Sequence, residues 1–247
     1  MNQANSLRQL LEQRTSEKPE QTFLFSEQDG REFTYSQFDA AVNRAALLLA
    51  DHSVTKGDVV SLLLTNSAEY IIAYFACWKL GALTGPVNSL LKAEEVAYVV
   101  SNSEAKAILV HSEFLPLIEI IKTQLPTLET VIVFDDEAAA TAKFAGAGSP
   151  VSAMVDKDDD AIIIYTSGTT GKPKGCLLTH GNVIANARQI SEWLGFTEHD
   201  RLLTIMPLFH MNAVSVTTMS ALYAGASTVI SPRFSSSRFW QIVSDYQ

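Results

Sequence analysis

The 247 residues carry 18 Lys and Arg against 27 Asp and Glu, a formal net charge of −9, with 47% hydrophobic and 18% charged residues. This is a globular composition with ample material for a core, enough for one large domain or two small ones. The acidic balance excludes a general nucleic-acid binder, which needs a basic stripe to displace counterions. Cys77 and Cys176 are too few for a disulfide framework or a thiolate zinc site.

In chain order, the start of the sequence has no signal-peptide apolar core, and apolar spacing predicts a helix over 6–14. Strands follow over 22–25 and 33–35, with Gln28-Asp29-Gly30 between them as a hairpin turn. Ser36 stands as the N-cap of a helix over 36–51. A strand over 59–64 leads to the most apolar stretch of the chain, 70–87. Lys79, Gly81, Gly85 and Pro86 interrupt it, so it reads as a buried helix over 68–80, capped by Gly81, running into a strand over 82–85 rather than as a membrane span. Helices over 93–101 and 113–124 alternate with strands over 107–110 and 130–134. The stretch 135–160, rich in small and acidic residues, reads as an exposed connector and a candidate break between sub-structures. Asp156, Asp158, Asp159 and Asp160 within it read as a solvated loop, because consecutive carboxylates cannot all face one ion. Strands over 161–166, 175–178, 202–206 and 227–230 then alternate with helices over 182–193, 212–223 and 237–246. The alternation implies βαβ units and an α/β fold with largely parallel sheets flanked by helices.

Chemistry concentrates in Tyr165-Thr-Ser-Gly-Thr-Thr-Gly-Lys-Pro-Lys-Gly175. Glycines let backbone N–H groups turn toward a ligand. Thr166, Ser167, Thr169 and Thr170 supply hydroxyls, and Lys172 and Lys174 supply positive charge. Together they read as a polyphosphate cradle rather than a plain glycine turn between strands. It is not a Walker A loop, because Pro173 stands where that spacing requires the second glycine and biases Lys172 toward an extended backbone. The dinucleotide glycine fingerprint is absent too.

The 165–175 run resembles, essentially residue for residue, the motif of the AMP-forming adenylating enzymes. These include acyl-CoA synthetases, firefly luciferase and peptide-synthetase adenylation domains. Met206-Pro-Leu-Phe-His210 is a second similarity; Phe33-Thr-Tyr-Ser-Gln-Phe38, Lys56-Gly-Asp58, Lys79-Leu-Gly-Ala82 and Pro86-Val-Asn88 extend it over nearly the whole chain. The resemblance is greatest to the acid–CoA ligases. It implies that a carboxylic acid attacks Mg2+-ATP to give an acyl-adenylate and pyrophosphate, after which coenzyme A displaces AMP. By the same resemblance Thr166, Ser167, Gly168, Thr169, Thr170, Gly171 and Lys174 would hold the β- and γ-phosphates. Lys172 would join them from the more exposed end of the loop, and Lys174 and His210 would be catalytic.

Phe209, His210 and Met211 occupy the place where the family lines its acyl pocket; a strand-to-helix junction with a satisfied histidine is the alternative reading. Peptide-synthetase domains put an aspartate here to meet an amino group. This chain has none, so a simple carboxylic acid is expected rather than an amino acid. His52, His111, His180 and His199 show no metal spacing and read as loop or cap residues. The family's Mg2+-binding acidic segment, ribose-gripping aspartate, hinge and C-terminal domain belong to later parts of its pattern. The resemblance therefore implies a partial N-terminal domain over 1–247, catalytically incomplete alone, cytoplasmic, with no membrane span. Sheet edges left uncovered would make a homodimer one expected partner. A nucleotide- or acyl-binding module without turnover and a scaffold with a relic loop stand as alternatives.

Overall fold

A computed structural model describes residues 4–135, 153–166 and 171–247. In chain order the strands are β1 (Thr22–Ser26), β2 (Glu32–Thr34), β3 (Val59–Leu63), β4 (Leu83–Pro86), β5 (Ala107–Val110), β6 (Thr130–Val133), β7 (Asp160–Thr166), β8 (Lys174–Thr179), β9 (Arg201–Thr204) and β10 (Ser227–Ile230). The described helices are α1 (Leu7–Glu17), α2 (Tyr35–Asp51), α3 (Ala68–Leu80), α4 (Ala93–Asn102), α5 (Leu115–Ile121), α6 (His180–Leu194), a π-helix (Asn212–Met219), α7 (Ser220–Ala224) and α8 (Phe239–Asp245).

Two sheets form, in the orders β2–β1–β10–β9 and β6–β5–β3–β4–β7–β8. Every pairing is parallel except the β1–β2 hairpin and the β7–β8 hairpin at one sheet edge. The α/β fold with largely parallel sheets is therefore the one observed. The expected break within 135–160 falls mostly on 136–152, outside the described residues. From the described part of that stretch, Lys56 reaches the carboxylate of Asp159 at 2.6 Å and the carbonyl of Met154 at 2.9 Å.

The apolar run becomes α3, in which every side chain is buried. It contacts β1 of one sheet and β3 and β4 of the other, with α2 packed along it. Ser67 caps its N-terminus and Gly81, in the left-handed conformation, ends it. Its two buried charges are paired, Glu69 with Arg31 at 2.7 Å and Lys79 with Asp39 at 2.9 Å. Trp78, fully buried, donates its indole N–H to the carbonyl of Ala161 at 3.0 Å and so fixes the start of β7.

Two local expectations need correction. Ser36 is not the N-cap of α2: Thr34 is, accepting from the Gln37 N–H at 3.1 Å while the Gln37 side chain accepts from the Thr34 N–H at 2.9 Å. That reciprocal pair satisfies two backbone donors, which Ser36 could not do. The helix expected over 212–223 is a π-helix followed by the short α7. Its wide turn is held by hydroxyls: Thr218 donates to the Ala213 carbonyl at 3.0 Å and Ser220 to the Ser215 carbonyl at 2.9 Å, both five residues back.

Candidate functional site

β4 and β7 run parallel, so the turn after Thr166 emerges at the carboxyl end of the parallel strands, where open α/β sheets bind ligands. The chain then returns directly into β8, with Thr166 opposite Lys174 and Tyr165 opposite Gly175. This is the strand-to-strand path that separates the segment from a Walker loop. Ser167, Gly168, Thr169 and Thr170 lie outside the described residues. Thr166, Gly171, Lys172 and Lys174 are exposed. Gly171 holds φ +94, with open space where a Cβ would stand. Gly175 is required by close approach, since a Cβ there would lie 3.0 Å from Ile163 Cδ1 and 3.3 Å from Tyr165 Cζ.

Helix α4 grips both feet of the hairpin. Tyr165 donates its hydroxyl to Asn102 Oδ1 at 2.9 Å, and Tyr98 donates its own to the Pro173 carbonyl at 3.2 Å. The Lys172 ammonium lies 5.3 Å from the centroid of the Tyr98 ring, so this cation rests on α4. Burial, reinforced by neighbouring Tyr98, pushes the Tyr165 phenol up to about 12 and keeps it a neutral donor. Neither Tyr98 nor Asn102 is legible as part of the site from sequence, because their partners lie 75 and 63 residues away.

The 206–211 segment is pinned by a second residue that the sequence does not announce. Asn66 donates to the carbonyls of Met206 and Ser231, at 2.9 and 3.2 Å, and its side-chain oxygen accepts from the Leu208 N–H at 2.8 Å. These bonds draw the backbone away from the sheet and end β9 at Thr204 instead of 206. Tyr74 adds a bond to the Leu208 carbonyl at 2.9 Å. Phe209 is buried with its ring 4.5 Å from that of the exposed His210. The His210 carbonyl accepts from the Ala213 N–H as the chain enters the π-helix. π-turns often accompany functional sites, and here one forms a wall of a cavity of about 500 Å3. Leu178 of β8, Val183 and Asn186 of α6, and Met211 and Val216 line it, whereas Phe209 and His210 do not. Thus β8 carries Lys174 at one end and a wall of the cavity near the other.

Of the other histidines, His111 caps a short turn and His52 ends α2. His180 departs from the loop-or-cap expectation: it is completely buried at the start of α6, with Nδ1 accepting from the Leu7 N–H at 3.3 Å. Burial pushes it down to about 4. Among the described residues, no group of three or more His, Cys, Asp and Glu is placed to hold a metal ion.

A sequence model of the AMP-binding enzyme family matches residues 11–247. The chain belongs to the AMP-binding enzyme family. This family member is 33% identical over 237 residues to the long-chain-fatty-acid–CoA ligase FadD13 of Mycobacterium tuberculosis, covering 95% of this chain and 46% of that protein. It is 33% identical over 244 residues to the crotonobetaine/carnitine–CoA ligase of Citrobacter koseri, covering 91% and 46%. In structure it is similar to the N-terminal domain of FACL13 from Mycobacterium tuberculosis, with TM-score 0.88 and 28% identity over 98% of this chain and 61% of that one. The chain spans about half the length of the curated relatives it matches. Among its described residues no helix is long and apolar enough to cross a membrane.

Proposed function

We propose that this AMP-binding chain supplies the phosphate loop and part of the acyl pocket of an ATP-dependent acid–CoA ligase. The observation that carries the reading is the clamped β7–β8 hairpin, whose exposed Thr166, Gly171 and Lys174 flank the hydroxyl-rich turn of a family-matched chain. Both curated relatives bear the name of CoA ligases, which supports the same reaction class.

In the first step a carboxylate oxygen of the acid bonds to the α-phosphorus of ATP while the bond to the β-phosphate oxygen breaks, releasing pyrophosphate. In the second, the sulfur of coenzyme A bonds to the acyl carbon and AMP leaves with the bonding pair. The first step needs charge neutralisation and in-line positioning more than an acid or base. Thr166, Ser167, Gly168, Thr169, Thr170, Gly171 and Lys174 hold the β- and γ-phosphates, and Lys172 reaches them by leaving Tyr98. Met211 contacts the acyl group from the cavity wall. His210, exposed beside it, meets the carboxylate end, with Phe209 fixing its ring. Mg2+ would enter with the phosphates of ATP and neutralise part of their charge. ATP and coenzyme A as co-substrates suit a cytoplasmic setting.

The second reading is nucleotide or acyl binding without turnover. ATP–pyrophosphate exchange against short, long and aromatic carboxylic acids separates the two. Acid-dependent exchange is the expected outcome for the ligase. ATP binding without exchange for any acid would leave the binding module.

A further inference from the structure

The cavity between β8, α6 and the π-helix has one polar side. Asn182 and Asn186, four residues apart, share a face of α6, and Asn212 and Ser215 face them from the π-helix; all four line the cavity. Asn182 uses its side-chain oxygen to accept from the Thr179 N–H at 3.1 Å, in the capping box of α6. Among the described residues, no hydrogen bond reaches the side-chain amides of Asn186 and Asn212 or the hydroxyl of Ser215, although Ser215 is only 5% exposed. The remaining wall, including Met211 and Ile190, is apolar, and no lining side chain is charged.

Each available ligand chemistry meets this wall differently. Asn186 and Asn212 are open to solvent in the empty cavity, and a plain alkyl chain filling it would displace their water without replacing its hydrogen bonds. A cationic or anionic tail would be desolvated with no counter-charge. A hydroxyl, keto or amide group on an apolar frame satisfies both halves of the wall. We propose that the cavity selects carboxylic acids whose tail carries such a neutral hydrogen-bonding group. The selection rests on the reading of this cavity as the acyl pocket.

The test is an NMR titration of the chain, labelled with 15N and with 13C at the methionine methyls, with octanoate, 8-hydroxyoctanoate and 8-(trimethylammonio)octanoate. The side-chain amide signals of Asn186 and Asn212 and the methyl signal of Met211 report the cavity. The hydroxy acid should shift all three and bind about three- to tenfold tighter than octanoate, the net worth of one hydrogen bond, with the cationic acid weakest. Asn186→Leu should abolish the hydroxy acid's advantage while retaining octanoate binding, and Asn186→Asp should raise affinity for the cationic acid. If Asn186→Leu does not fold, Asn212→Leu is judged in the same way. Octanoate shifting the same signals at equal or higher affinity would overturn the selectivity and leave the acyl pocket standing. Signals unmoved by every acid would overturn the acyl-pocket reading, and the selectivity with it.

Discussion

Lys174 opens β8 and His180 follows its other end at the start of α6, and their chemistries diverge. Lys174 is exposed at the start of β8, at the foot of the proposed phosphate turn. On the proposed role, replacing it with alanine in the full-length ligase removes a preorganised charge from developing phosphate charge, an expected loss of about a hundredfold or more in adenylation. Pyrophosphate release at the wild-type rate from Lys174→Ala would refute that role. His180 is buried and neutral, depressed to about 4 from an ordinary 6.5. The unfolded chain takes up a proton between those two pH values that the folded chain refuses. Stability is therefore intact above about pH 6.5 and falls as pH drops toward 4, by up to about 3 kcal/mol. Urea midpoints measured from pH 7 to 4.5 should decline more steeply for the wild type than for His180→Gln; identical slopes would count against this account. The residues proposed to bind phosphate are legible in the sequence because glycine, hydroxyl and lysine types crowd into one short run. His180 is not legible, because its burial comes from α1, whose Leu7 N–H lies 173 residues away.

At the scale of elements, α4 and α3 do comparable jobs for the two ends of β7. Helix α4 holds the hairpin feet through Tyr98 and Asn102. Tyr98→Phe keeps the ring beneath Lys172 and loses one hydrogen bond, whereas Tyr98→Leu loses both. Hydrogen exchange in peptides covering 165–175 should rise in both variants and more in Tyr98→Leu; no change in either would show that α4 does not restrain the hairpin. Helix α3 holds the other end, where the Trp78 indole and the Thr84 hydroxyl both donate to the Ala161 carbonyl. Trp78→Ala should cost about 3–5 kcal/mol in urea unfolding, and a cost under about 1 kcal/mol would mean that the site collapses to fill the gap. The sequence declares α3 plainly: a long apolar run, a serine before it and a glycine after it. It is silent about the π-helix, because small residues over 212–219 suit α and π turns equally. Hydroxyls of Thr218 and Ser220 decide between them, together with Thr204 of β9, which donates to Thr217 Oγ1 at 2.6 Å.

Across the whole molecule, alternating strand and helix patterns are enough to give the α/β class. They do not reveal that the strands divide between two sheets. That division depends on β1 lying beside β10, a pairing between residues about 200 positions apart that no local pattern encodes. The charge-assisted bonds of a phosphate turn contribute about 1.5–3 kcal/mol each, while association costs about 4–15 kcal/mol in lost freedom. ATP should therefore bind this chain no tighter than about 1 mM; micromolar affinity by calorimetry would contradict that figure.

The position of β1 also has a consequence in time. During synthesis β1 and β2 leave the ribosome early and can close their hairpin, but the inner edge of β1 has no partner until 227–230 follow. At typical elongation rates of about 5–20 residues per second, that interval is on the order of 10 to 40 s. Throughout it a buried-type strand, Phe23, Leu24 and Phe25 among its residues, stands with one side open. The nascent chain thus presents a sticky, waiting edge to chaperones and neighbouring ribosomes until β10 arrives to shield β1.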